Sequence, residues 1–119
     1  MNPIPRQLLT QTATVKACTG VDAWQKPTYT TYTVLHTHLQ NSNEMRRTQQ
    51  NTEVVLAAIL FVDAKRSSPL LDWPALLSVA LANGGDVKVT VNSIQYTMKS
   101  VDIGPDDHNR LHHYEVGLV

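Results

Sequence analysis

The chain reads as a mainly β domain, a small antiparallel β-barrel or sandwich of about six strands with one short α-helix. Three observations carry that reading. Period-2 alternation recurs along most of the 119 residues, breaker residues punctuate it at short intervals, and a helical period occurs once, between Asp72 and Gly84. The length fits one domain spanning residues 1–119, with one hydrophobic core.

Pro3 and Pro5 disfavour regular structure at the start, so residues 1–6 are expected to form a flexible arm. LLTQTATVKAC then alternates up to Cys18 and reads as the first strand. Gly20, Asp22 and Pro27 mark a turn, and Thr28 to Leu39 (TYTTYTVLHTHL), rich in threonine and tyrosine, is a long second strand pairing back on the first. From Gln40 to Thr52 the only large apolar residue is Met45, so this stretch is expected to be a mobile loop. Loops of that length in small domains are more often functional than ornamental. EVVLAAILFVDA, from Glu53 to Ala64, is apolar without interruption from Val54 to Val62 and reads as one central strand buried on both faces.

The period changes in RSSPLLDWPALLSVALANGGD. Asp72 can cap a helix with Pro74 in its first turn, Leu76, Leu77, Ala80 and Leu81 supply its apolar face, and Gly84 ends it. Such a helix of about ten residues would close one end of a barrel or cover a sheet. From Asp86 to Val119 come DVKVTV, the pair Asn92-Ser93, IQYTMKSVDI, the polar loop GPDDHN and RLHHYEVGLV, a three-stranded antiparallel meander.

Composition narrows function. Lysine plus arginine equals aspartate plus glutamate at 10 each, so no overall field exists to hold DNA by counterion release. The single cysteine, Cys18, excludes an intrachain disulfide and reads as inert packing in a reducing compartment. MNPIPRQLL does not read as a signal peptide, and the longest apolar run, Val54 to Val62, is about half of what a membrane helix needs, so a soluble protein made in the cytosol is expected, with no membrane partner.

No catalytic residue, cofactor site or metal site is assigned. His36 and His38 form an H-x-H pair that a strand would place on one face, but the remaining ligands for zinc would have to come from His108, His112, His113 or a carboxylate. His112 and His113, being adjacent, are expected on opposite faces. Asp102, Asp106 and Asp107 near His108 do not match a calcium loop and read as turn chemistry. No G-x-S-x-G and no glycine-rich phosphate loop occurs. The residues singled out for interaction are therefore non-catalytic. Asn43, Glu44, Met45, Arg46, Arg47, Gln49 and Gln50 in the loop would contact a channel or a partner, and Trp24, His112 and Tyr114 would form an interface. Arg46 and Arg47 read as solvated loop charge in a monomer, while in a ring the pair would be repeated about the axis as a girdle beside DNA. Trp73 and Trp24 could each plug a barrel end or anchor a partner, and the polar setting of Trp24 favours the second role.

NSNEMRRTQQNTEVVLAAILFVDA and DVKVTVNSIQYTMKSVDIGPDDHNRLHHYEVGLV together resemble the middle and end of tailed-phage minor capsid and head-tail connector proteins, of the head-completion, stopper-like kind. A charged loop with paired basic residues leads into a strand ending in phenylalanine and aspartate, followed by a tight turn, an aromatic strand and LHHYE. That family's turn usually reads asparagine-glycine where Asn92-Ser93 stands here, which leaves the turn type open. The resemblance implies a virion structural protein without enzyme activity, which assembles as a ring beneath the portal and joins capsid to tail. Its implied partners are the portal or adaptor protein, tail proteins and further copies of itself, with non-specific contact to packaged DNA. A different class, a small β-barrel module for a ligand or oligonucleotide, and a histidine-based metalloenzyme are the competing readings.

Overall fold

The structure is a computed structural model, and it describes residues 5–48, 51–105, 108 and 110–119. The expected arm falls largely on residues 1–4, and Gln49, Gln50, Asp106 and Asp107 likewise lie outside the described residues. A single 3-10 turn at Arg6–Leu8 leads into the first strand.

Eight strands and one helix follow. They are β1 (Gln11–Val21), β2 (Pro27–Asn41), β3 (Met45–Arg47), β4 (Glu53–Val55), β5 (Ala58–Asp63), α1 (Trp73–Ala82), β6 (Val87–Val91), β7 (Ile94–Pro105) and β8 (Leu111–Leu118). Six of the strands close a barrel in the order β1-β2-β5-β8-β7-β6, with β6 returning to β1, and every neighbouring pair is antiparallel. The fold class expected from the sequence is the one observed. Closure removes most of the free edges that an open sheet would present.

Alternation explains the core. Ala13, Val15 and Ala17 of β1, Val87, Val89 and Val91 of β6, and Val116 and Leu118 of β8 all point inward and are buried. In β5 the pattern breaks, because five of its six residues are buried on both faces, as a continuous apolar run requires. The apolar run is not one strand, however. It divides at Leu56-Ala57, and its first part, β4, pairs with β3 and leaves the barrel wall to β5. Leu56 is buried at that corner, its N–H donating 2.8 Å to the Glu44 carbonyl. The stretch read as an irregular loop therefore carries a small hairpin, because Met45 and Arg46 find cross-strand partners in Val55 and Val54 that local composition does not reveal.

Helix α1 begins where Asp72 caps it, the carboxylate accepting from the Ala75 N–H at 3.2 Å, with Pro74 in the first turn where no intrahelical donor is lost. Its last carbonyls are met by Asn83, Gly84 and Gly85, and Gly84 takes φ +74°, a conformation that glycine adopts without a Cβ penalty. Trp73, Leu77 and Ala80 are buried against β1, β6 and β7, so the helix plugs the barrel with the indole of Trp73 at its centre. No helix among the described residues is long and apolar enough to cross a membrane.

Asn92 and Ser93 take φ +53° and +65°, the two positive values of a type I′ turn, and the ladder continues to Val91↔Ile94 on either side. Strand twist selects this turn type, so Ser93 holds a left-handed backbone that glycine would adopt at less cost.

Candidate interaction surfaces

Three exposed features stand out from the barrel. The first is the tip of the β1–β2 hairpin. Asp22 organises it, its carboxylate accepting from the N–H groups of Trp24 at 2.8 Å and Lys26 at 3.0 Å, while Gln25 takes φ +61°. This Asx turn holds the backbone and leaves the Trp24 indole 81% exposed. The two tryptophans therefore have opposite fates, with Trp73 in the core and Trp24 in solvent.

The second is the β3–β4 hairpin, which presents Met45 and Val55 at 62% and 57% exposure as a cross-strand pair. On the hairpin's barrel-facing side lies Arg46. Its guanidinium donates to Glu44 at 2.6 Å and to Glu115 of β8 at 3.4 Å, and also meets Asp102 of β7. Asp102 and Glu115 are themselves cross-strand partners, so one arginine clamps the hairpin onto two adjacent barrel strands. Partial burial works against the cation, but the hydrogen bonds it donates to Glu44, Asp102 and Glu115 outweigh it, and the Arg46 pKa is raised above its ordinary value. Arg47 is different, being more than half exposed and 3.4 Å from Glu53 on the paired strand. The charge of Arg46 is thus compensated within the chain by three carboxylates, while Arg47 stays on the exposed side of the hairpin with Glu53 and Asn51 as its partners.

The third is an aromatic and histidine cluster on the outer barrel wall. His38, Phe61 and His113 sit on three adjacent strands with ring centroids 6.0 and 6.1 Å apart, and with Leu8, Gln40 and His112 they line a shallow cleft of about 290 Å³. The expected opposite placement of His112 and His113 does not hold. The β7–β8 register skips between Gly104 and Pro105, so β8 carries one extra residue there, and the two imidazoles meet with Nδ1 atoms 2.8 Å apart. His113 reaches Glu115 through Nε2 at 3.1 Å, joining the cluster to the Arg46 clamp. The ring packs directly over Gly104, where any Cβ would collide with it.

The H-x-H pair is also separated. A bulge in β2 puts three steps, Val34 to Thr37, against two in β1, and His36 takes φ +61° at that bulge, exposed, with its carbonyl held by the Ser67 hydroxyl at 2.5 Å. A positive φ on histidine breaks the period-2 count that would have aligned the two rings. Among the described residues, no three histidine, cysteine, aspartate or glutamate side chains converge as metal ligands. Tyr114 is a further correction. It was expected at an interface, but the alternation of β8 turns it inward, where it is 9% exposed. Burial, followed by the charge of Asp72, raises its pKa. His112 remains half-buried at the cleft, and Asn43, Glu44 and Met45 are exposed.

Sequence reasoning missed Glu115 and the role of Asp102, which read only as turn chemistry. Their signal is present, since carboxylates on the outer faces of neighbouring strands destabilise each other unless a cation lies between them. The partner, Arg46, comes from a hairpin that local sequence does not announce.

An all-antiparallel barrel plugged by one helix, with apolar side chains on projecting hairpins, describes a protein whose exposed chemistry suits contact with other chains. A family model described as minor capsid protein matches residues 5–118, and the chain belongs to that family. No curated protein and no solved structure matched it. As a member it is a structural component of the phage particle, working among other virion proteins.

Proposed function

We propose that this chain is a head-completion subunit, one copy of a ring that sits beneath the portal and joins capsid to tail, and that it does so without catalysis. The observation that supports this reading is where large apolar side chains are exposed. Trp24 and Met45, on two projecting hairpins, are the most exposed large apolar side chains among the described residues, at 81% and 62%, and Val55 stands beside Met45 on the second hairpin. An exposed tryptophan on an ordered turn is the residue type that most often anchors a protein interface. Repetition around an axis would multiply a weak contact at each tip into a stable joint. The β3–β4 hairpin would dock on the portal or tail, and Arg47 would be its only outward cation for packaged DNA.

The test is a phage carrying either Trp24→Ser or a deletion of Asn43 to Gln50. Both proteins should fold, since neither change enters the barrel core. Lysates should then contain filled heads and free tails that fail to join, counted by electron microscopy. Normal yields of infectious particles from both variants would overturn the proposal.

A further inference from the structure

The barrel closes incompletely along β2. This strand pairs with β1 from Pro27 to Thr37, but it meets β5 only from Thr37 to Asn41. From Pro27 to His36 the outer edge is met, among the described residues, only near its far end, by the isolated bridge from Leu35 to Ser68, where both backbone bonds are exchanged at 2.7 and 3.1 Å, and by the Ser67 hydroxyl on the His36 carbonyl. That bridge fixes which groups point outward. Leu35 turns its N–H and C=O away from β1, so antiparallel alternation turns Tyr29, Thr31 and Thr33 the same way. The β1 side agrees. Cys18 donates to Asp86 at 3.0 Å on the β6 side, which leaves Ala13, Val15 and Ala17 to bond with Val34, Tyr32 and Thr30. Among the described residues no backbone partner meets the outward groups of Tyr29, Thr31 and Thr33.

Soluble proteins blunt such edges with lysine, inward charge, proline or a covering loop. Here Thr28 to Leu35 contains no charged residue, and only Pro27 and the bulge at His36 bound the two ends. Beside the open edge runs a mainly apolar cleft of about 320 Å³, lined by Tyr32 of β2, by Leu70 and Leu71 of the connection, by Leu76 and Val79 of α1, and at the helix start by Asp72, whose carboxylate is engaged in capping the Ala75 N–H. Leu70 and Val79 are 48% and 42% exposed there. A row of unpaired ladder groups next to an apolar trough is the arrangement that binds an added strand, with main-chain bonds giving affinity and the trough reading alternate side chains.

We propose that the β2 edge from Tyr29 to Thr33 takes an extended, uncharged segment of another virion protein as an additional strand, with aliphatic side chains at alternate positions seated between Tyr32, Leu70, Leu76 and Val79. A second copy is a poorer occupant. Its matching free edge is this same strand, and pairing the two would bring Thr28, Thr30 and Tyr32, rather than aliphatic groups, to the trough. The inference rests on the virion role proposed above and names the chemistry of one partner.

Amide hydrogen exchange on the isolated protein and on purified virions tests it, together with a photo-crosslinker in place of Thr33. In the isolated protein Tyr29, Thr31 and Thr33 should exchange fast. In virions they should slow by about tenfold or more as new ladder bonds form, and the crosslink should map to an extended aliphatic segment of a different chain. Thr31→Pro, which removes one outward N–H at a position an edge strand tolerates, should lower infectious particle yield at least about tenfold while circular dichroism of the purified variant stays native. Unchanged exchange in virions, a crosslink to the same chain, or full infectivity of Thr31→Pro would each overturn the added strand while leaving the connector role standing. Particles that lack the protein on immunoblots would overturn both.

Discussion

The barrel wall and the outer half of the β1–β2 hairpin are made by the same two strands, yet they obey different rules. Inside the wall, β1 pairs with β2 on one side and, from Thr14 to Ala17, with β6 on the other, and Ala13, Val15 and Ala17 point into the core. Beyond Cys18, β1 has left β6, β2 has no β5 beside it, and Thr28, Tyr29, Thr30 and Thr31 are all exposed. The sequence marks the change by composition alone, exchanging alanine and valine for threonine and tyrosine. Both halves form strands, because β-branched and aromatic residues suit a pleated surface whether or not it is covered. What differs is how fully the strand is satisfied by its own chain, and the unsatisfied half is the one for which an added strand is proposed.

Substituting the two tryptophans breaks that comparison most severely. Trp73→Ala should cost about 3–5 kcal/mol, since it removes the fully buried plug of the barrel and leaves a cavity. Trp24→Ala should lie within about 0.5 kcal/mol of zero, because the indole is already in water. Urea unfolding followed by far-ultraviolet circular dichroism measures both. Similar losses for the two variants would mean that the hairpin tip is part of the fold.

How much of this was legible follows the same division. Wherever alternation is regular, as in Val87, Val89 and Val91, faces and strands are readable from sequence, and so is α1 from Asp72, Pro74 and Gly84. The reading failed where a bulge inserts one residue. His36 and His112 each sit at such an insertion, and period-2 counting through it puts the following ring on the wrong side. It failed again at the β3–β4 hairpin, whose strands have three residues each and draw their stability from Arg46 reaching Asp102 and Glu115, both more than fifty positions away. No local pattern encodes a clamp between distant segments.

The paired arginines sharpen the comparison at smaller cost. Arg46→Met should destabilise the chain by about 1 kcal/mol, a figure already discounted for a partly solvated pair, because it leaves Glu44, Asp102 and Glu115 facing one another and unclamps the hairpin. Arg47→Met should change stability by no more than about 0.5 kcal/mol. Hydrogen exchange adds a local readout, since Arg46→Met should raise exchange across Met45–Val55 well before it affects β6. Equal behaviour of the two variants would mean that the hairpin is held by its own ladder and not by the barrel.

The smallest effect is at alkaline pH. Tyr114 faces inward and its pKa is raised by burial and then by Asp72, so the folded chain keeps the phenolic proton to a higher pH than the unfolded chain does. The contribution is therefore complete below the ordinary tyrosine value of about 10 and is lost as pH climbs from there through the folded value. Tyr29 is raised in the same direction, by desolvation first and then by Asp86, but it stands on the exposed outer half of the β1–β2 hairpin. Tyr114→Phe should flatten the decline in melting temperature above about pH 10, while Tyr29→Phe should leave most of the decline in place. An identical alkaline slope in wild type and Tyr114→Phe would show that the phenol is not sealed in the wall, and that β8 is more open to solvent than its alternation indicates.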